Sequence, residues 1–265
     1  MTTRTTPFAP GTPCWVDLTS SDLEASKDFY AGLLGWTYAV GGADLGGYVT
    51  ALSDGHAVAG MVGRPPAEGA PNAWTTYIST EDIAATTVAA SAAGAIVVVP
   101  PRRVGEIGVV GLVLDPAGAL VGLWQPGVHL GFSKYNEPGS VTWDEHHSKN
   151  FAASTAFYAT VFGWTMDKTS DTDQFRYFQG QIDGETVAGL MDSAGFLPPE
   201  LPSHWAVYFS VVDADAAVQT AVGMGGSLLR PAEDTPFGRI ADLADITGVP
   251  FKVHSNTLAH PHAPE

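Results

Sequence analysis

Hydrophobic and polar positions change period along the chain in an order that repeats. Cys14-Trp15-Val16-Asp17-Leu18-Thr19 is a short β-rich run. Ser20-Ser21-Asp22 then supplies helix N-cap chemistry, with Glu24 in the first turn. Ala25, Phe29 and Leu33 recur at helical spacing and give one apolar face, which stops at the glycines Gly32 and Gly35. Strand-like runs follow at Trp36–Val40, Tyr48–Leu52 and Ala57–Val62, separated by turn signals at Gly41-Gly42, Gly46-Gly47 and Asp54-Gly55. This is one β-α-β-β-β module. After a Pro/Gly loop over Gly63–Pro71 the order returns: a strand at Trp74–Ser79, an Ala-rich helix over Asp82–Ala93, and strands at Ile96–Val99, Gly108–Leu114 and Leu120–Trp124. The turn Asp115-Pro116-Ala117-Gly118 precedes the last of these.

The first module is then written again. Trp15 to Trp36 matches Trp143 to Trp164 at one constant offset without a gap, with Ala25/Ala153, Ser26/Ser154, Phe29/Phe157, Tyr30/Tyr158 and Gly35/Gly163 identical. Self-similarity on this scale marks a duplicated domain rather than a solenoid repeat. Strands are expected at Val141–His147, Trp164–Lys168, Phe175–Gln179 and Val187–Met191, with a helix over Phe151–Phe162. In the fourth module, Trp205 to Tyr208 echoes Trp74 to Tyr77, and Asp245 to Gly248 echoes Asp115 to Gly118. The expected organisation is α+β: a flexible lead over 1–12, a first domain over 13–126, a linker over 127–139, a second domain over 140–256, and a loose tail over 257–265.

Composition narrows the function classes. With 45% apolar and 15% charged residues the chain can bury a core. A net charge of -16, with 12 Lys+Arg and no basic run, argues against nucleic acid and anionic membrane as partners. A single cysteine, Cys14, precludes an internal disulfide framework and fits a reducing compartment. No apolar run is long enough to span a bilayer, so the expectation is a cytoplasmic, soluble protein, either monomer or homodimer.

Four βαβββ modules in two pairs, the Leu34-Gly35-Trp36 and Phe162-Gly163-Trp164 rhythm, and the Asp-Pro-x-Gly turn before a final strand resemble the vicinal oxygen chelate superfamily. That superfamily holds glyoxalases, bleomycin-binding proteins and extradiol dioxygenases, and the resemblance spans residues of about 13–256, closest to its two-domain glyoxalase-like group. It implies paired modules forming a cupped sheet whose concave face holds the ligand. Metal-dependent members carry ligands on the first strand of each module and a Glu on the last strand. Here those slots hold Trp15 and Trp143, then Trp74 or Thr75 and Trp205 or Ala206, with Gly122 and Lys252 at the Glu position. Tryptophan and glycine do not ligate a divalent cation and a lysine ammonium repels one, so no metal and no other cofactor is expected.

Asp17 and Glu145 occupy matching first-strand positions, each sharing strand parity with the preceding Trp. Two roles are open to the pair: hydrogen-bond acceptors within the fold, or a general base with a pKa raised by desolvation. The second half departs from the first where His146-His147 replaces Leu18-Thr19. His147 lies on the Trp143/Glu145 face, which makes His147 with Glu145 the acid/base candidate; a histidine solvated at the strand end is the alternative. His204 is expected on the opposite face, and His254 two residues beyond the Glu slot. A rebuilt metal site from His147, His204 and His254 is a further alternative. His56, His129, His260 and His262 are expected to be solvated. Trp15, Trp74, Trp124, Trp143, Trp205 and Tyr208 are candidates for an aromatic ligand wall, with Arg239 as a spare cation near the rim. Nucleotide-binding glycine loops and a nucleophile elbow are absent from the sequence. The expectation is a protein that binds a small aromatic or polyketide-like metabolite and transforms it by metal-independent acid/base chemistry. A self-resistance protein that sequesters the compound without turnover, and a dioxygenase or lyase with a relocated metal, are the alternatives.

Overall fold

The computed structural model describes residues 6–42, 46–64 and 72–256. Most of the Gly63–Pro71 loop and the whole tail, with His260 and His262, lie outside the described residues. The first module is β1 (Pro13–Ser20), α1 (Leu23–Leu34), β2 (Thr37–Val40), β3 (Val49–Ser53) and β4 (His56–Gly63). The second is β5 (Ala73–Ser79), α2 (Ile83–Ala92), β6 (Ile96–Val104), β7 (Gly108–Leu114) and β8 (Leu120–Pro126). The third runs through β9 (Val141–Ser148), α3 (Phe151–Phe162), β10 (Thr165–Asp171), β11 (Arg176–Ile182) and β12 (Glu185–Asp192). The fourth comprises β13 (His204–Ser210), α4 (Ala214–Gly223), β14 (Ser227–Thr235), β15 (Gly238–Ala244) and β16 (Pro250–Ser255). Two eight-stranded mixed sheets result, ordered β2-β3-β4-β1-β5-β8-β7-β6 and β10-β11-β12-β9-β13-β16-β15-β14.

The duplicated helices begin and end by the same devices. Asp22 and Asn150 cap α1 and α3 by accepting from the backbone N–H of Ala25 and Ala153. Gly35 and Gly163 close the same helices at φ 71°, a left-handed conformation that favours glycine. The largest departure from the expected boundaries is at β6. β6 continues past Pro100-Pro101 to Val104, because it is an edge strand and its register on β7 shifts between Val99 and Arg102. Proline is tolerated at an edge or a bulge, where its missing donor breaks no ladder.

Packing does not follow the sequence halves. The chain forms two compact units: residues 1–16, 75–133 and 143–206 in one, and 17–74, 134–142 and 207–265 in the other. Each therefore combines modules from both halves. In the first unit the core joins Ile78, Val113, Val121 and Leu123 to Phe157, Tyr158, Trp164 and Leu190. The lead, expected to be flexible, is held within this unit from Phe8 to Thr12. Phe8 is buried edge-on against Phe132, the Gly11 N–H donates to Ser79 O, and the Trp164 indole donates to Gly11 O.

A buried polar triad fixes each unit. In one, the Tyr158 hydroxyl donates to Asp115 Oδ2 (3.1 Å) and accepts from Trp205 Nε1 (3.1 Å). In the other, Tyr30 donates to Asp245 Oδ2 (3.2 Å) and accepts from Trp74 Nε1 (3.0 Å). The remaining oxygen of each aspartate closes its own turn, accepting from Ala117 and Ala119 N–H or from Thr247 and Val249 N–H. Burial, and then the adjacent carboxylate, holds both tyrosines well above the ordinary phenol range. The first triad has a fourth member, since His146 Nε2 lies 2.6 Å from Asp115 Oδ2 where the other half has Leu18. Burial pushes Asp115 up, but the His146 bond and charge, the Ala119 N–H and Tyr158 together outweigh it and hold the carboxyl below its ordinary value.

Beside His146 on the same face of β9, Asp144 is buried and accepts from Thr76 Oγ1 at 2.6 Å. Burial lifts its pKa from 3.8 to about 7, the Thr76 bond opposing the rise, and its charge adds to the burial that raises the Cys14 thiol.

Two stability outcomes follow. Tyr30→Phe strips Asp245 of its hydroxyl donor and should cost about 2–3 kcal/mol in urea unfolding, whereas Tyr158→Phe leaves His146 on Asp115 and should cost about 1 kcal/mol; equal costs would contradict this account. Between about pH 4 and pH 7 the native Asp144 keeps a proton that the unfolded chain has released. Stability should therefore fall as pH rises through that window. Asp144→Asn should abolish the fall and gain up to about 4 kcal/mol on the wild type at pH 8.5 relative to pH 4, as read from unfolding midpoints at the two pH values.

Candidate functional site

Strand alternation separates the two faces of each first strand. On β9 Asp144, His146 and Ser148 point to the helix-side core, and Trp143, Glu145 and His147 point the other way. Gly189 of β12 pairs directly with Glu145, and a Cβ there would collide with the Tyr177 hydroxyl and approach Trp143 Nε1 to 3.0 Å. The glycine thus admits Tyr177, from β11, across the strand. The Tyr177 hydroxyl donates to Glu145 and accepts from Trp143 Nε1 at 3.2 Å. Burial, and then the Glu145 charge, raises this phenol far above its ordinary pKa, so it stays a donor.

His147 completes the cluster. Its Nε2 lies 2.8 Å from Glu145 Oε1, and both side chains are buried. A carboxylate only accepts, so Nε2 carries the proton, and in the neutral ring Nδ1 holds a lone pair. Nδ1 is buried and has no hydrogen-bond partner in the structure. A buried polar atom without a partner is uncommon and costs stability. The ring is held by His204, stacked at 5.0 Å and 25°, and by the edge of Phe196 at 6.5 Å. A His147 solvated at the strand end is therefore ruled out. The expected opposite facing of His204 is also corrected: the slot on β13 is Ala206, not Trp205, and His204 shares its parity.

In the first half Asp17 is placed as Glu145 is. Tyr48 donates to Asp17 Oδ1 at 2.5 Å, crossing Gly60, which pairs with Asp17. Thr19 stands where His147 stands, so Asp17 has a tyrosine partner and no imidazole beside it on the strand.

The expected aromatic wall divides. Trp74 and Trp205 are corrected to core residues: they lie on the helix-side face and direct their indole N–H groups at Tyr30 and Tyr158. Trp143 is half-buried beside Tyr177. Trp15 and Trp124 enclose His129, the Trp15 ring at 4.4 Å edge-on and Trp124 Nε1 donating to His129 O at 3.0 Å. Burial there lowers the His129 pKa to about 4, which corrects its expected solvation. Phe132, from the expected linker, also packs on Trp15 at 5.5 Å. Tyr208 lies beneath the Lys252 ammonium, 5.2 Å from its ring centre. Arg239 is not a spare cation, because it makes a bidentate pair with Asp215 (2.7 and 2.9 Å) and a third bond to Asp234.

The metal slots are filled by groups that do not fit a divalent cation. Trp143 presents an indole N–H already donated to Tyr177, the Tyr77 ring overlies Gly122, and Lys252 pairs with Asp242. Among the described residues no group of three or more His, Cys, Asp or Glu side chains is placed to hold a metal ion. No helix among them is long and apolar enough to cross a membrane.

Comparison with known proteins bears on the family and the fold. The model of the Glyoxalase/Bleomycin resistance protein/Dioxygenase superfamily matches residues 14–123 and again 148–253. The chain is 36% identical to the Mycobacterium tuberculosis protein named "Putative glyoxylase CFP32", over 93% of this chain and 95% of that one. It is 37% identical to the Streptomyces peucetius anthracycline biosynthesis protein DnrV, over 97% and 98%. Among solved structures, a Mn(II)-bound glyoxalase from Novosphingobium aromaticivorans superposes with a TM-score of 0.64 at 15% identity, covering 93% of this chain and 82% of that one. The 2,3-dioxygenase LapB of Pseudomonas sp. KL28 superposes at 0.63 with 13% identity, covering 95% and 93%. At such identities these structures share the fold alone. With its family model matched in both halves, the chain belongs to the glyoxalase/bleomycin resistance protein/dioxygenase superfamily, in a two-domain arrangement.

Proposed function

We propose that this protein binds a small aromatic, polyketide-like metabolite and transforms it by proton transfer at His147, without a resident divalent metal. The observation that carries the reading is the buried His147–Glu145 pair, with Nε2–H committed to Glu145 and Nδ1 unpartnered. In this role Nδ1 accepts a proton from an acidic C–H or O–H of the bound molecule and returns it at another position. The imidazolium formed keeps its Nε2–H on Glu145, so the new positive charge arises beside a fixed negative one. Glu145 is a positioning residue that sets the tautomer, and Tyr177 in turn holds Glu145. Trp143 and Phe196 supply apolar surface next to the base, which suits a flat ring system. The relatives named for anthracycline biosynthesis favour a fused-ring aromatic ligand over a small aldehyde adduct. Asp17, with a tyrosine but no histidine beside it, is assigned a structural role.

The test is a panel of hydroxylated anthraquinones, followed by tryptophan fluorescence for binding and by mass spectrometry and proton–deuterium exchange at substrate carbons for chemistry. His147→Gln should lower turnover by about 10²–10⁴-fold and leave affinity within about threefold. Glu145→Gln should lower turnover with binding likewise kept. Wild-type protein that binds a panel member tightly and changes none of them would leave a sequestering protein and remove the catalytic assignment. Activity that rises with added divalent metal, and depends on it, would overturn the metal-free reading. Tyr177→Phe should cost about 1–2 kcal/mol of stability and lower turnover in parallel with the loosening of Glu145; an unchanged rate would show that Glu145 needs no second support.

A further inference from the structure

The duplication allows each position of one sheet to be compared with its twin. Across four strands of the first sheet, register aligns Tyr77 with Gly122, Gly122 with Leu112, and Leu112 with Val99. Across the second, the same row is Tyr208, Lys252, Asp242 and Arg230. One aromatic end is kept, and an apolar row has become cation, anion, cation. The row runs through the last-strand slot where the resemblance places a metal-ligating Glu.

The charges on this row leave one positive charge in excess. Lys252 is buried, yet its ammonium reaches Asp242 only at 3.2 and 3.3 Å, and Arg230 approaches the same carboxylate at 3.5 Å. Two acceptor oxygens thus face two cations through long contacts. The same ammonium lies over the Tyr208 ring, 5.2 Å from its centre. One residue pair along the strand, His254 points to the same face as Lys252. Its Nε2 lies 2.6 Å from Phe237 O and therefore carries the proton, and its Nδ1 is buried and unpartnered. Burying a lysine costs several kcal/mol unless its charge is matched. The fold has no use for it here, because the twin position is filled by glycine beneath Tyr77.

We infer that Tyr208, Lys252 and Arg230, with Asp242 holding the two cations in place, form a subsite for an anionic oxygen, a carboxylate or an ionised phenol, on an aromatic ligand. This rests on the reading of the protein as a metabolite-binding one. Lys252 supplies the positive charge that a metal supplies in metal-dependent relatives of this fold, and Tyr208 supplies the surface on which the ring bearing the anion lies.

Paired probes test it: anthraquinone-2-carboxylate against its carboxamide, and 2-hydroxyanthraquinone above its phenol pKa against the 2-methoxy compound, each titrated by tryptophan fluorescence. The wild type should prefer the anion of a pair by at least tenfold. The preference should vanish in Lys252→Met and in the double variant Lys252→Met/Asp242→Asn, which leaves no unpaired carboxylate, and should survive in Lys252→Arg. A preference for the carboxylate pair alone, or for the phenol pair alone, names the source of the anion. Equal affinities within both pairs, or an undiminished preference in the folded double variant, would overturn the subsite. Should no anthraquinone bind, benzoate provides the separating arm. Benzoate that raises the wild-type melting temperature but not that of Lys252→Met retains the subsite and refutes the fused-ring ligand, whereas no shift in either overturns both.

Discussion

The structure depends on a carboxylate that does two jobs inside each unit. Asp115 and Asp245 sit in the turn before a last strand, where one oxygen replaces the missing strand partners of two turn amides. The other oxygen takes a tyrosine hydroxyl from a helix of the opposite sequence half. A buried carboxylate is tolerable only when its lone pairs are filled, because the low-dielectric interior penalises every unfilled one. Tyr30 therefore cannot be displaced without leaving Asp245 Oδ2 short of its donor, whereas His146 still holds Asp115 Oδ2 when Tyr158 is lost. The indole N–H groups of Trp205 and Trp74 then fill the tyrosine oxygens. The chain of donors runs helix to turn and strand to helix, and it ties module two to module three and module one to module four. That explains why contacts cluster across the halves although the sheets follow them.

The duplicated halves diverge at adjacent residues that point in opposite directions. His146 and His147 replace Leu18 and Thr19. His146 enters the core and adds a fourth member to the Asp115 triad, while His147 enters the cluster around Glu145. The carboxylate–tyrosine–glycine arrangement needs neither histidine, since Asp17, Tyr48 and Gly60 reproduce it without one. What is specific to the second half is thus the imidazole, its His204 stacking partner, and the charged row through Lys252. The corresponding first-half positions are Thr19, Ala73 and Gly122, and in that half the chain's own His129 packs against both Trp15 and Trp124.

Much of the fold was legible because the local signals agree with one another: caps at Asp22 and Asn150, glycines at Gly35 and Gly163, and strand runs bounded by turn residues. Pro100-Pro101 misled because an edge strand tolerates what a central strand does not, and edges are decided by the sheet order. The face of Glu145 and His147 was legible from parity. Trp74, Trp205 and His204 were not, since the slot lies one residue later than the tryptophans and a one-residue shift exchanges the faces. Arg239 looked spare because its partners Asp215 and Asp234 belong to α4 and β14. Tyr177 had a faint signal in the Gly60/Gly189 echo. A repeated glycine opposite a repeated carboxylate marks a place where a side chain crosses the strand.

The same comparison separates what the fold needs from what chemistry was added to it. A metal in this fold would serve as a fixed positive charge and as a Lewis acid. The donor set here suits neither, because indole, glycine and ammonium stand in the slots. Only the first service has a protein substitute, since a lysine ammonium is a point charge that cannot accept a ligand lone pair into a coordination sphere. On the proposed reading the chemistry lies in proton transfer at the His147 cluster. Extended aromatic systems with ionisable ring oxygens are well suited to that chemistry, because delocalisation already lowers the energy of the anion that proton removal creates. The base then needs only the modest strength of an imidazole whose other nitrogen is fixed on a carboxylate, which is the arrangement His147 and Glu145 provide.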